Sequence, residues 1–206
     1  MGKIELKKQK KRKDLLEAAY QLFTTVGFHK TTILNIALRA GVGKGTFYLY
    51  FDSKEDVRDE LIMLKSSRLL LEAVDALERY SREASEEIPV AGKFIFVADY
   101  ILNRLTQDLT LLKFISKNLS WGILVRSEKY RTVDDEVIDF RAFVIDTLQE
   151  GGVELRDPEL LLFTLLELIN STCYNTILYN DPVPFKEYKP YLYSVIRRLI
   201  DDSLVQ

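Results

Sequence analysis

Apolar residues recur at helical spacing in almost every segment of this chain, and this feature constrains its fold more than any other. Leu15, Ala18, Ala19 and Leu22 follow the i, i+3, i+4, i+7 pattern of one helix face, and later segments repeat it. No segment of the 206 residues shows strand-like alternation, an internal repeat or a low-complexity composition. The sequence therefore predicts an all-α fold.

Glycine, proline and capping residues indicate where the predicted helices begin and end. Gly27 ends the first helix, Thr32 caps a short second helix that Gly41 stops, and Ser53 opens a long fourth helix. Asp157 is predicted to cap a helix with a proline at its first position. The predicted spans after the first helix are about 32–40, 44–50, 54–81, 93–107, 109–124, 128–150, 158–180 and 190–203.

The cysteine content and the apolar runs limit the compartment. A single cysteine, Cys173, excludes an intrachain disulfide and a cysteine-based metal site, which favours a reducing environment. The longest apolar run, at 160–169, is ten residues long and contains a glutamate, whereas a membrane-spanning helix needs about 20 apolar residues. The basic N-terminal segment has no apolar run behind it, unlike a secretory signal. We expect a cytoplasmic protein without a membrane partner.

The net charge of −2 conceals an uneven distribution. Residues 1–54 carry eleven Lys/Arg and four Asp/Glu, a balance of +7, which leaves −9 for the remainder. A basic end on an acidic body favours a polyanionic partner for the first quarter of the chain. The alternative is a solvated basic tail, because seven of the positive charges lie in residues 3–13.

The stretch RAGVGKGTFYLYF, residues 39–51, allows two interpretations that spacing separates. A phosphate-binding loop requires glycine, four further residues and Gly-Lys-Ser/Thr after a strand. Here Gly45 follows Gly43-Lys44, Leu38 stands where the first glycine is required, and the preceding segment is helical. The alternative is a helix-turn-helix unit over about 32–51, with Val42 as a buried apolar residue in its turn. The spacing favours this DNA-reading unit over a phosphate-binding enzyme.

The segment GFHKTTILNIALRAGVGKGTFYLYFDSKEDV, residues 27–57, resembles the TetR family of bacterial transcriptional regulators. The matching positions are Gly27, Phe28, Thr31, Thr32, Ile36, Ala37, Ala40, Gly41, Val42, Gly45, Thr46, Tyr48, Tyr50, Phe51, Ser53, Lys54 and Glu55. The resemblance covers about residues 10–60, and the rest of the chain matches the family only in length and helical character. Two positions depart from it: Gly43 replaces a frequent capping Ser/Thr, and Asn35 replaces a frequent aspartate.

This resemblance implies which residues contact DNA. Lys44, Gly45 and Leu49 are similar in position to residues that face base edges. Residues that match phosphate contacts are Thr32, Thr46, Tyr48, Tyr50 and Lys54. Tyr48 can instead pack against the first helix, and Lys54 can be an ordinary solvated lysine. The basic arm Lys7–Lys13 either follows phosphates or is a solvated tail.

The resemblance also implies two domains and a regulatory function. Residues 8–54 are expected to bind DNA, and residues 55–206 are expected to bind a ligand and dimerise, joined by the helix at 54–81. The dimer is expected through helices 158–180 and 190–203, and the apolar character of 158–180 supports this. Aromatic and polar candidates for the ligand pocket, each of which core or surface packing also explains, are Phe96, Tyr100, Arg104, Trp121, Tyr130, Phe143 and Tyr174.

The expected function is that of a homodimeric repressor that a small molecule releases from a near-palindromic DNA operator. The alternatives are a DNA-binding helical scaffold without a ligand, and the phosphate-binding enzyme that the spacing disfavours. His29 is the only histidine and has no cysteine, histidine or acid pair around it in the sequence, so we expect no metal site. No nucleophile with a base and an orienting partner is evident either. We therefore expect no enzyme activity and no cofactor.

Overall fold

A computed structural model describes residues 3–84, 86–116 and 154–205. These residues form eight α-helices: α1 Lys3–Leu22, α2 Ile33–Arg39, α3 Lys44–Phe47, α4 Lys54–Glu83, α5 Val90–Gln107, α6 Leu109–Ser116, α7 Pro158–Tyr179 and α8 Phe185–Ser203. Extended pairing within the described ranges is limited to one isolated antiparallel bridge between Leu155 and Leu204. The predicted all-α fold is confirmed, and the predicted helix at 128–150 lies outside the described residues.

The start of the last helix and the cap of α7 differ from the sequence prediction. The last helix begins at Phe185 rather than near residue 190, and Pro190 lies inside its second turn. A proline at the sixth helical residue has no N–H to donate to the carbonyl of the residue four positions earlier, so the helix lacks one intrahelical hydrogen bond there. Asp157 precedes Pro158 as predicted, but its side chain makes no capping hydrogen bond. Its backbone is left-handed, with φ of 49°, whereas a capping residue is extended.

The chain divides into two compact units, Met1–Ile62 and Met63–Gln206, and α4 contributes to both. The boundary lies eight residues beyond the predicted division at residue 54. The first unit is built around α1, α2, α3 and the start of α4. Its buried apolar side chains include Leu15, Ala19, Ile36, Phe47 and Val57.

In the second unit, α8 packs against α5 and α7, and α6 packs against the same two helices. The core of the α5, α7 and α8 packing comprises Ala91, Leu102, Leu161, Leu165, Cys173, Leu192, Ile196 and Ile200. Among the described helices, α7 alone has the length and hydropathy of a membrane span. The core helix of a globular domain has the same length and composition, so α7 alone is weak evidence for a membrane segment.

Candidate DNA-binding interface and internal cavity

The turn between α2 and α3 is fixed by backbone hydrogen bonds. Gly41 has a φ of 68°, the left-handed conformation that glycine adopts without steric cost. The N–H of Gly41 donates to Leu38 O at 3.1 Å, and that of Val42 donates to Ala37 O at 2.9 Å. This pair of bonds is the Schellman arrangement that ends a helix sharply. Val42 is half-buried rather than buried as predicted, and its N–H contributes to closing the turn.

The next helix, α3, exposes one face and buries the other. Phe47 and Phe51 are buried, as predicted, with ring centroids 5.7 Å apart. Lys44 is exposed, and Leu49 is 77% exposed. The helix is shorter than predicted because its last turn tightens, with Leu49 N donating to Thr46 O at 3.2 Å. The predicted base-facing residues therefore share a solvent-exposed surface.

The predicted phosphate-contact residues have different environments. Tyr48 is half exposed, and its ring and that of Phe47 are nearly perpendicular, with centroids 5.6 Å apart. Thr46 and Tyr50 are half-buried. Thr32 is exposed, but its Oγ1 accepts from Asn35 N at 3.1 Å. Asn35 Oδ1 in turn accepts from Thr32 N at 3.0 Å. Asn35, a departure from the family pattern, therefore completes a capping box at α2.

Two basic residues of the first unit make ion-pair or hydrogen-bond contacts within the protein. Arg12 Nη2 lies 2.5 Å from Glu60 Oε2, and its guanidinium lies over the Phe51 ring. Lys54 Nζ donates to two backbone carbonyls of the turn before α2. Lys54 is therefore not an ordinary solvated lysine, which was the alternative to a phosphate contact. The basic arm is helical, and Lys7, Lys8, Lys10, Lys11 and Lys13 are exposed along α1.

The second unit contains an apolar cavity of about 180 Å³. Helices α4, α5, α6, α7 and α8 all contribute to its lining. On α5 the lining residues are Phe94, Val97, Ala98, Ile101, Leu102 and Leu105. Among the described residues no charged side chain lines it, and the polar residues of this lining are Ser66, Ser116, Asn170 and Cys173. Burial raises the pKa of the Cys173 thiol to about 12, so this thiol stays protonated.

The four pocket candidates that lie in the described residues do not line this cavity. Phe96 stacks on Tyr80 with centroids 5.1 Å apart, and Arg104 pairs with Glu72 at 3.5 Å. Tyr100 is half-buried outside the lining, and Tyr174 packs near Tyr179. On α5, Phe96, Tyr100 and Arg104 lie outside the face that carries the lining residues. Trp121, Tyr130 and Phe143 lie outside the described residues.

A polar cluster joins α5 to α8 away from the cavity. Tyr193 donates its hydroxyl to Asp99 Oδ1 at 2.6 Å, and Lys189 forms an ion pair with the same carboxylate. Asn103 donates to Asp99 Oδ2 at 3.0 Å and accepts from Lys189 Nζ at 3.1 Å. Burial, followed by the Asp99 hydrogen bond and charge, raises the pKa of Tyr193.

Comparison with known proteins assigns this arrangement to a family. A family model of bacterial regulatory proteins of the tetR family matches residues 15–61, which contain α2, the turn and α3. The transcriptional regulator RutR of Escherichia coli strain K12 is 30% identical over 147 residues, covering 63% of this chain and 69% of RutR. The chain belongs to the TetR family. It is a DNA-binding transcriptional regulator and not an enzyme.

Other similar proteins cover most of the chain. The regulator YhgD of Bacillus subtilis is 29% identical over 159 residues, covering 77% of this chain and 80% of YhgD. The fatty acid metabolism regulator protein of the same organism is 29% identical over 149 residues and 71% of each chain. Thermus thermophilus FadR, solved in complex with lauroyl-CoA, has the same fold, with a TM-score of 0.57, 21% identity and coverage of 90% of this chain and 92% of FadR.

Several features of this TetR-family protein are not evident from its sequence. The Arg12–Glu60 pair, the carbonyl partners of Lys54 and the cavity-lining face of α5 each depend on how helices pack. The apolar periodicity of α5 from Phe94 to Leu105 is the one signal that indicates the cavity face. In the described part of the chain, no group of three or more His, Cys, Asp or Glu residues is arranged to hold a metal ion.

Proposed function

We propose that this TetR-family protein is a homodimeric repressor, and that a small apolar molecule in the cavity of its second unit releases it from a near-palindromic operator. The observation that carries the proposal is the cavity itself, to which the described part of the chain contributes nineteen lining residues, none of them charged. A core packed at ordinary density contains few voids larger than a water molecule. A space of this size beside α4, the helix that continues from the DNA-binding unit, suits a regulatory ligand.

The exposed face of α3 is the surface proposed to bind DNA. Lys44 donates to guanine O6 and N7, Gly45 allows close approach, and Leu49 contacts a thymine methyl group. Thr46, Tyr48 and Tyr50 offer hydroxyl groups to phosphates, and Thr32 offers the N-terminus of α2. In a dimer, two such helices read half-sites that are roughly 34–36 Å apart, or a little more.

The proposed dimerisation is supported by the apolar residues that are exposed on α7 and α8. Leu160 and Tyr179 on α7 and Tyr191 on α8 are each more than 60% exposed, and Phe163 is 43% exposed. Exposed apolar side chains on neighbouring helices are typical of a subunit interface. We propose that α7 and α8 of two copies pack together, and that the protein acts in the cytoplasm.

The proposed ligand is an apolar group, such as an acyl chain or an aromatic ring. The cavity is slightly larger than an engineered apolar cavity of about 150 Å³ that stays dry and binds benzene. A buried carboxylate without a charged partner is strongly disfavoured, so any charged end of the ligand lies beyond this lining. A relative named for fatty acid metabolism and a similar fold solved with lauroyl-CoA make an acyl chain the first ligand to test.

The proposal is tested by measuring binding reciprocity. A selection from random duplexes first yields the operator, which we expect to be an inverted repeat. Calorimetry then measures the affinity for lauroyl-CoA with and without saturating operator. Release requires that operator weaken ligand binding by the same factor by which ligand weakens operator binding. Equal ligand affinities in the two titrations contradict ligand release.

The same titrations separate the alternatives. A DNA-binding scaffold without a ligand gives an operator in the selection but no heat with lauroyl-CoA or with other acyl and aromatic probes. Recovery of duplexes without an inverted repeat contradicts the paired recognition helices. The phosphate-loop alternative is disfavoured because Gly43 begins a helix that follows another helix and not a strand.

A further inference from the structure

Ser66 on α4 lines the apolar cavity and carries a buried hydroxyl group. Its Oγ has no hydrogen-bond partner among the described residues. A buried hydroxyl group that loses its bonds to water without a replacement is unfavourable, and most such groups in native proteins have a partner. The unsatisfied Oγ of a cavity-lining residue therefore indicates a partner that is not part of the chain.

Other hydroxyl groups in the helices around this cavity bond to their own backbone. Thr164 donates to Leu160 O at 2.7 Å, and Thr172 donates to Leu168 O at 2.6 Å. The carbonyl four residues earlier is a common acceptor for a serine or threonine inside a helix. Within the described helices Ser66 makes no such bond. Rotation of its side chain between staggered χ1 positions toward the cavity therefore breaks no hydrogen bond.

The surroundings of Ser66 limit the chemistry of its partner. The other residues of α4 that line the cavity, Leu69 and Leu70, are aliphatic and lie on the same helix face. A single bound water needs about two to four polar partners, and these neighbours offer none. An ionised group needs a charged partner, and the described lining residues include none. A neutral oxygen on an apolar molecule fits both conditions.

We infer that Ser66 recognises the polar group of the ligand. Its hydroxyl donates a hydrogen bond to a neutral carbonyl or hydroxyl oxygen that an otherwise apolar molecule carries. The inference rests on the proposed ligand binding in the cavity, and it adds which chemical group the ligand has. Ser66 thus favours ligands with such an oxygen over ligands of the same shape without it.

The test compares the wild type with Ser66→Ala in the binding of two probes of nearly equal shape, phenol and toluene. Calorimetry measures the affinity of each probe for the full chain. We expect Ser66→Ala to lower the ratio of phenol affinity to toluene affinity by about two- to tenfold, the usual effect of one neutral hydrogen bond. Affinities for phenol and toluene that change by the same factor overturn the inference.

Two control variants accompany this comparison. Ser67→Ala is expected to preserve the affinity ratio, because Ser67 is buried on the same helix outside the cavity lining. Ala98→Leu fills the cavity and is expected to weaken the binding of both probes, which places them there. If the wild type binds neither probe, the cavity is not a ligand site and the inference fails with it. If both probes bind and Ser66→Ala preserves their ratio, only the role of Ser66 is contradicted.

Thermal unfolding without a probe gives an independent measurement. Ser66→Ala removes an unsatisfied buried hydroxyl group and introduces a better helix former, and both changes favour the folded state. We therefore expect the variant to melt at the wild-type temperature or above it. If the hydroxyl group instead binds a water or a backbone carbonyl in the protein without ligand, the variant melts at a lower temperature, and that result also overturns the inference.

Discussion

Arg12 on α1 lies 2.5 Å from the carboxylate of Glu60 on α4, and Glu60 is only 3% exposed. Removing one partner of a buried ion pair leaves a desolvated charge behind. We therefore expect Arg12→Met to lower the free energy of unfolding by about 3 kcal/mol. Urea unfolding measures this, with Lys13→Met as the control, since Lys13 is exposed on the same helix. Equal stability of the two variants contradicts a structural role for Arg12.

The two glycines that flank Val42 respond oppositely to substitution. Gly41 has a left-handed backbone, so Gly41→Ala is expected to destabilise the protein by about 1–2 kcal/mol. Gly43 precedes α3 with an extended backbone and no side-chain cap. Gly43→Ser supplies a hydroxyl that accepts from the first turn and is expected to raise stability by a few tenths of a kcal/mol, roughly 0.3. Thermal unfolding of both variants measures the difference, and a stabilising Gly41→Ala would argue against the turn geometry.

Lys44 and Tyr50 are expected to affect DNA binding in different ways. Base contacts specify sequence, whereas phosphate contacts position the protein on the duplex. Lys44→Ala should therefore relax the preference at one operator position, where the correct base contact contributes about 1–3 kcal/mol. Tyr50→Phe should weaken binding to all duplexes alike. Selection experiments on both variants distinguish them, and a uniform loss for Lys44→Ala shows that Lys44 does not read a base.

Filling the cavity is expected to remove the ligand response and preserve DNA binding. Ala98 lines the cavity, so Ala98→Leu places additional volume in it. We expect weaker calorimetric binding of lauroyl-CoA and operator that stays bound in its presence. Tyr100→Phe is the matched control because Tyr100 lies on α5 outside the lining. Unchanged ligand affinity in Ala98→Leu would falsify this placement of the ligand.

Tyr193 is expected to make stability depend on alkaline pH. Its pKa is raised in the folded protein by burial and by Asp99, so the protonated phenol contributes stability that is complete below the unfolded pKa of about 10. That stability is lost as the pH rises above this value. Tyr193→Phe removes the hydrogen bond, costs ~1 kcal/mol at neutral pH and should flatten the alkaline loss. Urea unfolding at pH 7 and at alkaline pH tests this, with Tyr80→Phe as the control, because Tyr80 is 51% exposed.

Local features were predictable from the sequence because local chemistry decides them. The absence of glycine and proline permits the full length of α4, which ends at Glu83, two residues beyond the prediction. Gly41 marks a left-handed turn, and the spacing of Phe47 and Phe51 indicates their burial. Each of these depends on neighbours within a few positions along the chain.

Features that depend on packing were not predictable in the same way. Aromatic and polar chemistry selected Phe96, Tyr100 and Arg104, yet the α5 residues that line the cavity are Phe94 and five aliphatic residues at other positions. Only contact with α4, α6, α7 and α8 determines which α5 residues those are. The partners of Lys54 are backbone carbonyls, which no side-chain pattern indicates. The roles of the candidate residues in DNA binding and ligand binding stay predictions.

The single cysteine of this protein has a practical consequence for spectroscopy. Cys173 is 2% exposed, and its thiol stays protonated at neutral pH, so it reacts slowly with alkylating labels. A cysteine introduced at an exposed position, such as Leu49, can therefore carry a spin label without first removing the native thiol. In a dimer, one such label per subunit gives a single inter-label distance. Pulsed paramagnetic resonance can then follow the separation of the two recognition helices as lauroyl-CoA is added, with no change to the core.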